Sequence, residues 1–394
     1  MSPQPAPRTI RVGKQLFTLT PLASAVLAAT LLASNAADAR VIWSVVPSLT
    51  VAAVSDDNIF LTPEPAVEDD IVRYTPGIAI DYTADALNVV ATYSQDAEYY
   101  SDNSQLDSSS IRRNGLVVMT YTASERLTWG VNASYFKTPT PGELNLGNGL
   151  IQLGRTPTTR ESAGATLNYA FTPTLDGAFA YTMIRDETRL GLGGDTHEAR
   201  SEFQKDFSAR DSLLFGYTYR QFRFNDANGE QDSHTAMVGW EHLFTPRTTA
   251  RLMLGPRFYG DDVEPNIEGS LRHEFSTGEF TLTYTRSEVL LAGSASRVET
   301  ELASFMYTQR FGNRWTVEIA PSYGEAQSEQ GAKVDVRQIA ADVRYAFNDY
   351  FSVSANWLGS RQEEHLIGGF NRKIPRDVAT VALNFRYPLG GERN

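Results

Sequence analysis

One feature constrains this chain more than any other. Apolar and polar residues alternate with period two along nearly its whole length, in stretches too long for ordinary strands. Trp315, Val317, Ile319, Pro321 and Tyr323 oppose Thr316, Glu318, Ala320 and Ser322. Leu127, Trp129, Val131, Ala133 and Tyr135 oppose Thr128, Gly130, Asn132 and Ser134. Ala379, Val381, Leu383, Phe385 and Tyr387 oppose Thr380, Ala382, Asn384 and Arg386. Successive strand side chains point to opposite faces, so each stretch is a strand with one apolar and one polar face.

Two kinds of connection take turns between these strands. Eight are short and follow an aromatic residue: Tyr82, Tyr121, Phe171, Phe207, Phe244, Phe275, Phe311 and Phe347. Nine are longer and polar, near 55–69, 101–107, 138–157, 190–195, 225–231, 260–263, 292–296, 325–333 and 362–374. A solenoid repeat would not alternate long and short connections. A soluble β-sandwich would not gather aromatics at strand ends. Short turns on one side, long loops on the other and aromatic girdles are the pattern of a membrane barrel. The expected fold is therefore all-β, a transmembrane antiparallel up-and-down β-barrel. Nine loops mean nine hairpins and 18 strands; losing one hairpin, near 45–54 or 195–207, would leave 16. Closure is required, because an open edge in lipid leaves backbone groups unpaired. A barrel this wide encloses an aqueous lumen unless a loop fills it.

Composition fits this picture. The 394 residues have a mean hydropathy of −0.31, which excludes a polytopic helical membrane protein but suits an average over two opposed faces. There is no Cys, which rules out disulfides, thiolate metal sites and a thiol nucleophile. The formal charge of −12 makes nucleic acid an unsuitable partner. At the N-terminus Arg8, Arg11 and Lys14 precede an apolar run, Leu22 to Ala33, and then Ala37-Asp38-Ala39. This is the layout of a secretory signal peptide over 1–39, with residues 40–394 forming the barrel and a short C-terminal tail. The run is too short to span a bilayer as a helix.

The opening of the expected mature chain reads V-P-S-L-T-V-A-A-V-S-D-D-N-I-F-L-T over 46–62. Asp70-Ile-Val-Arg-Tyr-Thr-Pro-Gly77 and Leu87-Asn-Val-Val-Ala-Thr-Tyr93 follow. Over about 46–100 this resembles a family of β-barrel porins associated with exopolysaccharide gene clusters of Gram-negative bacteria. The resemblance implies an outer-membrane barrel serving polysaccharide export, with polysaccharide and periplasmic export components as partners. It carries over no catalytic residue. The sequence departs from the common barrel ending, continuing past Phe385 and Tyr387 with Pro-Leu-Gly-Gly-Glu-Arg-Asn.

The chemistry-bearing residues argue for a channel and against an enzyme. The five histidines, at 197, 234, 242, 273 and 365, show no metal-ligand spacing, and no nucleophile elbow occurs. No cofactor or metal is expected. The acid runs Asp56-Asp57, Glu68-Asp69-Asp70 and Asp261-Asp262 fall in outer loops. They read as solvated segments first, and as divalent-cation sites beside lipopolysaccharide phosphates second. Outer-membrane lipid and lipopolysaccharide are the expected surroundings. Bases are mostly Arg, 30 against 5 Lys. Arg251, Arg257, Arg272, Arg344 and Arg386 lie on polar faces with Glu241, Glu268, Glu274, Glu318 and Asp342. They are the candidate lumen-lining residues, in a ladder of opposite charges that holds the wall or contacts a polar solute. The loop 138–157, with Pro139, Pro141, Gly142, Gly147 and Gly149, either folds inward as a constriction or stands outside as a flap. A general nutrient porin and a surface-adhesion barrel are the alternative functions.

Overall fold

The computed structural model describes residues 41–393 apart from 64, 146–153, 190–192, 226–228, 291–296, 329–330 and 366–370. The expected signal peptide lies outside the described residues.

The strands run β1 (Val41–Asp56), β2 (Asp69–Thr83), β3 (Leu87–Tyr100), β4 (Ser108–Ser124), β5 (Leu127–Thr138) and β6 (Thr158–Thr172). Next come β7 (Leu175–Thr188), β8 (Gly193–Asp206), β9 (Asp211–Phe224), β10 (Glu230–Thr245), β11 (Thr248–Tyr259) and β12 (Asp262–Glu274). The rest are β13 (Gly278–Leu290), β14 (Arg297–Phe311), β15 (Trp315–Ser328), β16 (Lys333–Ala346), β17 (Phe351–His365), β18 (Asn371–Arg386) and β19 (Leu389–Arg393). Each of the first seventeen pairs antiparallel with the next, and β18 returns to pair with β1 from Ser48↔Arg386 to Asp56↔Val378. The result is a closed barrel of eighteen strands, as the count of hairpins requires. Closure satisfies the edge groups that lipid could not.

The residues beyond Tyr387 are not a free tail. Pro388 lacks an N–H and interrupts the strand. The chain then resumes as β19, whose Leu389 to Arg393 pair with Val45 to Val41.

Eight connections at one end span two to four residues, and each follows an aromatic-rich strand end. Those at the other end reach nineteen residues (139–157). One expected long loop is shorter than its composition suggests: Gly260-Asp261 alone joins β11 to β12, with Gly260 at φ 53°, where glycine needs no strain. By the asymmetry of such barrels the short turns are periplasmic and the loops extracellular.

The parity of each strand decides what each face meets. Ile78, Ile80, Leu252, Leu254, Val381 and Leu383 are all at least 40% exposed on the outer surface. Such an apolar band is tolerable only in lipid. Below it, Phe244, Phe275, Phe311, Phe347, Tyr350 and Tyr387 ring the periplasmic end. Several touch edge-to-face, as Tyr345 and Phe347 do at 4.9 Å. The opposite parity carries the polar residues inward.

Candidate functional site: a narrowed lumen

Strands β8 to β12 curve so tightly that their inward side chains meet. Leu214 and Met253 are fully buried and pack with Met237. Gly216 and Gly239 on the same inner face make room, since a Cβ on Gly239 would lie 2.4 Å from Met253. Beside this dry patch four charges bridge non-neighbouring strands. Arg200 reaches Glu202 at 3.1 Å and Glu268 at 3.2 Å, and Arg251 reaches Glu202 at 2.7 Å. This links β8 to β11 and β12 across the corner.

Three segments narrow the extracellular half. The first is the β1–β2 loop. Asn58 is fully buried and donates its side-chain N–H to the carbonyls of Thr62 and Pro375, both at 2.8 Å. Ile59 then packs on the inward residues Ala52, Val54, Ile71, Tyr100 and Ala382.

The second is the β5–β6 loop, which folds inward. Its helical turn Gly142–Asn145 places Glu143 against Arg112, which donates at 2.8 and 2.6 Å in a forked pair. Arg112 also pairs with Glu98, which receives Arg73 at 2.7 Å. Arg160 donates to the Leu144 carbonyl at 3.0 Å while gripping Asp186. Burial alone would raise the Glu143 carboxyl. Arg112, the Thr138 hydroxyl and Arg376 outweigh it and hold the group below the ordinary carboxylate range. The part of this loop over 146–153 lies outside the described residues.

The third is the upper part of the β13–β14 hairpin, where β13 ends and β14 begins. Pairing between β12 and β13 stops at Ile267↔Arg286, so the upper hairpin is released from the wall. The face that meets lipid lower down, at Leu282, here packs on the inner surface of β9 to β11. Leu290 joins Phe222 and Phe224. Glu288 is fully buried and receives the Ser233 hydroxyl and, at 2.8 Å, Arg297. It also lies 3.7 Å from Arg257. Arg297 stacks over Tyr259 at 3.6 Å.

The ten residues expected at the lumen all fall on the parity opposite the apolar band, but their surroundings differ. Arg251 and Glu268 belong to the bridging quartet, with Glu241 opposite Arg251 across β10 and β11. Asp342, Arg344 and Arg386 share a polar bay of about 510 Å³ at the periplasmic end. Arg344 donates to Ser352 at 3.2 Å, and Arg386 to the Asp349 carbonyl at 2.8 Å. Glu318 lies opposite Asp342 in register. Arg272 pairs with Glu274 and Glu279 at the exposed inner rim. Arg257 does not line open space: it is fully buried among Glu264, Glu288 and Glu299 beneath the inturned hairpin.

Of the acid runs, Asp57, Glu68, Asp70, Asp261 and Asp262 are exposed, as solvated segments would be, whereas two members are not. Asp56 is buried against Arg376 at 2.7 Å. Asp69 is buried and accepts the backbone N–H groups of Ser101, Asp102 and Asn103. The sequence reading missed Arg112, Glu143, Glu288 and Arg297. One signal was present: Arg286, Glu288, Glu299 and Glu301 occupy lipid-facing parity, where charge is costly unless the segment leaves the lipid.

A closed wall with an apolar outer band and a polar, partly filled interior defines an outer-membrane-type β-barrel. No known protein family matches the sequence, and no curated protein does. Among solved structures the chain is similar to OccAB4 of Acinetobacter baumannii, at 11% identity over 88% of this chain and 98% of that one, with a TM-score of 0.48. It is similar to OccK7 (OpdD) of Pseudomonas aeruginosa at 12% identity, covering 90% and 100%, with a TM-score of 0.47. It also matches the siderophore receptor PirA of Pseudomonas aeruginosa at 11%, covering 87% and 80%, with a TM-score of 0.42. These matches assign no solute.

Proposed function

We propose that this chain is a passive outer-membrane channel whose solute is a polar, slender molecule, and that it serves export of a polysaccharide. The carrying observation is the interior. Fixed Arg–carboxylate pairs and inturned segments narrow a lumen that eighteen strands alone would leave wide. Such a path selects by width and hydrogen bonding and needs neither cofactor nor covalent chemistry. The polysaccharide direction is supported by the resemblance over 46–100, which rests on those residues alone. Gene deletion tests it. Loss of surface polysaccharide with unchanged uptake of small solutes supports export; unchanged polysaccharide with impaired uptake of one solute class makes the channel a nutrient porin.

A further inference from the structure

The outer surface of β16 to β18 carries a feature that conduction does not use. Up the lipid-facing parity of β16 from its periplasmic end, Tyr345, Val343, Ala341 and Ile339 are apolar, and then Arg337 begins a polar stretch. Arg337 stands directly opposite Arg361 of β17. Like charges directly opposite on an antiparallel pair repel. Arg361 reaches Asp377 at 2.7 Å. Among the described residues no carboxylate lies within ion-pair distance of Arg337, although its neighbours are satisfied: Lys333 takes Glu325 at 2.7 Å, and Lys373 takes Glu363 at 3.1 Å. On the periplasmic side of the two guanidiniums is an outer groove of about 590 Å³, floored by Leu282, Phe305, Ile339 and Trp357. On the extracellular side is a polar cavity of about 660 Å³, where Asn371 and Lys373 join the same two arginines, and where the lining carboxylates Glu363 and Asp335 are taken by Lys373 and by Lys333 and His365. The pair thus sits on the boundary between an apolar slot and a wet one, at the upper edge of the lipid band.

We propose that this cleft binds a phosphorylated lipid of the outer leaflet, of the lipopolysaccharide type. An acyl chain lies over Trp357 and Ile339, and a phosphate sits between Arg337 and Arg361. Arg361 already has Asp377, and the phosphate supplies the anion that Arg337 lacks. Two planar guanidinium forks suit a tetrahedral oxyanion, and their place at the band's edge matches headgroup depth.

The test uses the whole barrel, purified and delipidated in detergent. It is titrated with bisphosphorylated lipid A and with lipid A of the same chains lacking both phosphates, and bound lipid is counted by native mass spectrometry. The phosphorylated form is expected to bind at least about tenfold more tightly. Arg337→Gln and Arg361→Gln should each remove most of that preference. Arg185→Gln, at an outward arginine paired with Asp195, should leave it unchanged. Equal binding of the two lipids by the unsubstituted barrel overturns the proposal, and needs no variant to fold. So does undiminished preference in folded Arg337→Gln and Arg361→Gln barrels, or equal loss in Arg185→Gln.

Discussion

The inturned β13–β14 hairpin makes the sharpest prediction, because one buried carboxylate holds it. Glu288 is shared by Ser233 on the wall and Arg297 on the hairpin's second strand, with Arg257 close by. Glu288→Gln keeps the shape and removes the charge. Arg257, fully buried, then retains only the more exposed Glu264 and Glu299. Removing one partner of a buried ion pair costs about 3–5 kcal/mol. Leu290 on Phe222 and Phe224 is a second anchor, and burying such a side chain contributes about 1.5–3 kcal/mol; Arg297 over Tyr259 and beside Glu264, and Glu299 beside Arg257, add weaker ones. The loss equals or exceeds the Leu290 anchor, and with the other contacts left in place the docked state should weaken by about 100-fold. Single-channel recording reads this directly. The variant should show larger or more frequent openings than the parent, while its heat-modifiable migration on gels shows an intact barrel. Leu290→Ala added to Glu288→Gln should enlarge the effect. An intact Glu288→Gln barrel with the parent's conductance and opening frequency would refute the claim that this carboxylate holds the constriction.

Other consequences follow from the same geometry. Glu143→Ala should free the β5–β6 loop, seen as faster labelling of a cysteine placed at Thr140; unchanged labelling would mean that Arg112 does not anchor it. The Glu143 carboxyl is depressed in the folded protein, so its contribution is complete above the unfolded-state value and is lost as pH falls through the lower folded value. The same labelling, taken relative to a freely exposed cysteine at each pH because the thiolate is the reacting form, should therefore be slow at neutral pH and accelerate only below the ordinary carboxylate range. Deleting residues 388–394 removes the five pairs between β19 and β1 and should lower barrel yield and melting temperature, read by heat-modifiable migration. N-terminal sequencing of the protein from an outer-membrane fraction should begin at Arg40.

The barrel was legible because its determinants are local and repeated. Alternation, turn-ending aromatics and the two kinds of connection are each written along the chain, so eighteen strands and both faces follow without tertiary information. The polar faces that hold Arg251, Glu268 and Asp342 were legible for the same reason. What was not legible depends on departures from regular pairing. Arg257 reads as a lumen residue from its parity, yet it is buried because a hairpin thirty residues later abandons its neighbour. That departure is marked only by charge on the wrong face, at Arg286 and Glu288. Glu143 lies in a loop whose composition suits a flap as well as a plug, and only Arg112, two strands earlier, decides between them. The segment after Tyr387 reads as a tail because Pro388 breaks its periodicity, although pairing resumes one residue on.

The eighteen-strand wall and its inturned segments together make a narrowed aqueous path through a lipid bilayer the property to measure. Planar-bilayer recording of the refolded, unsubstituted protein tests it most directly. Discrete conductance steps, smaller than those of the barrel with its β5–β6 loop and upper β13–β14 hairpin deleted, are the predicted result. A correctly folded barrel that inserts and stays silent in both forms would contradict it.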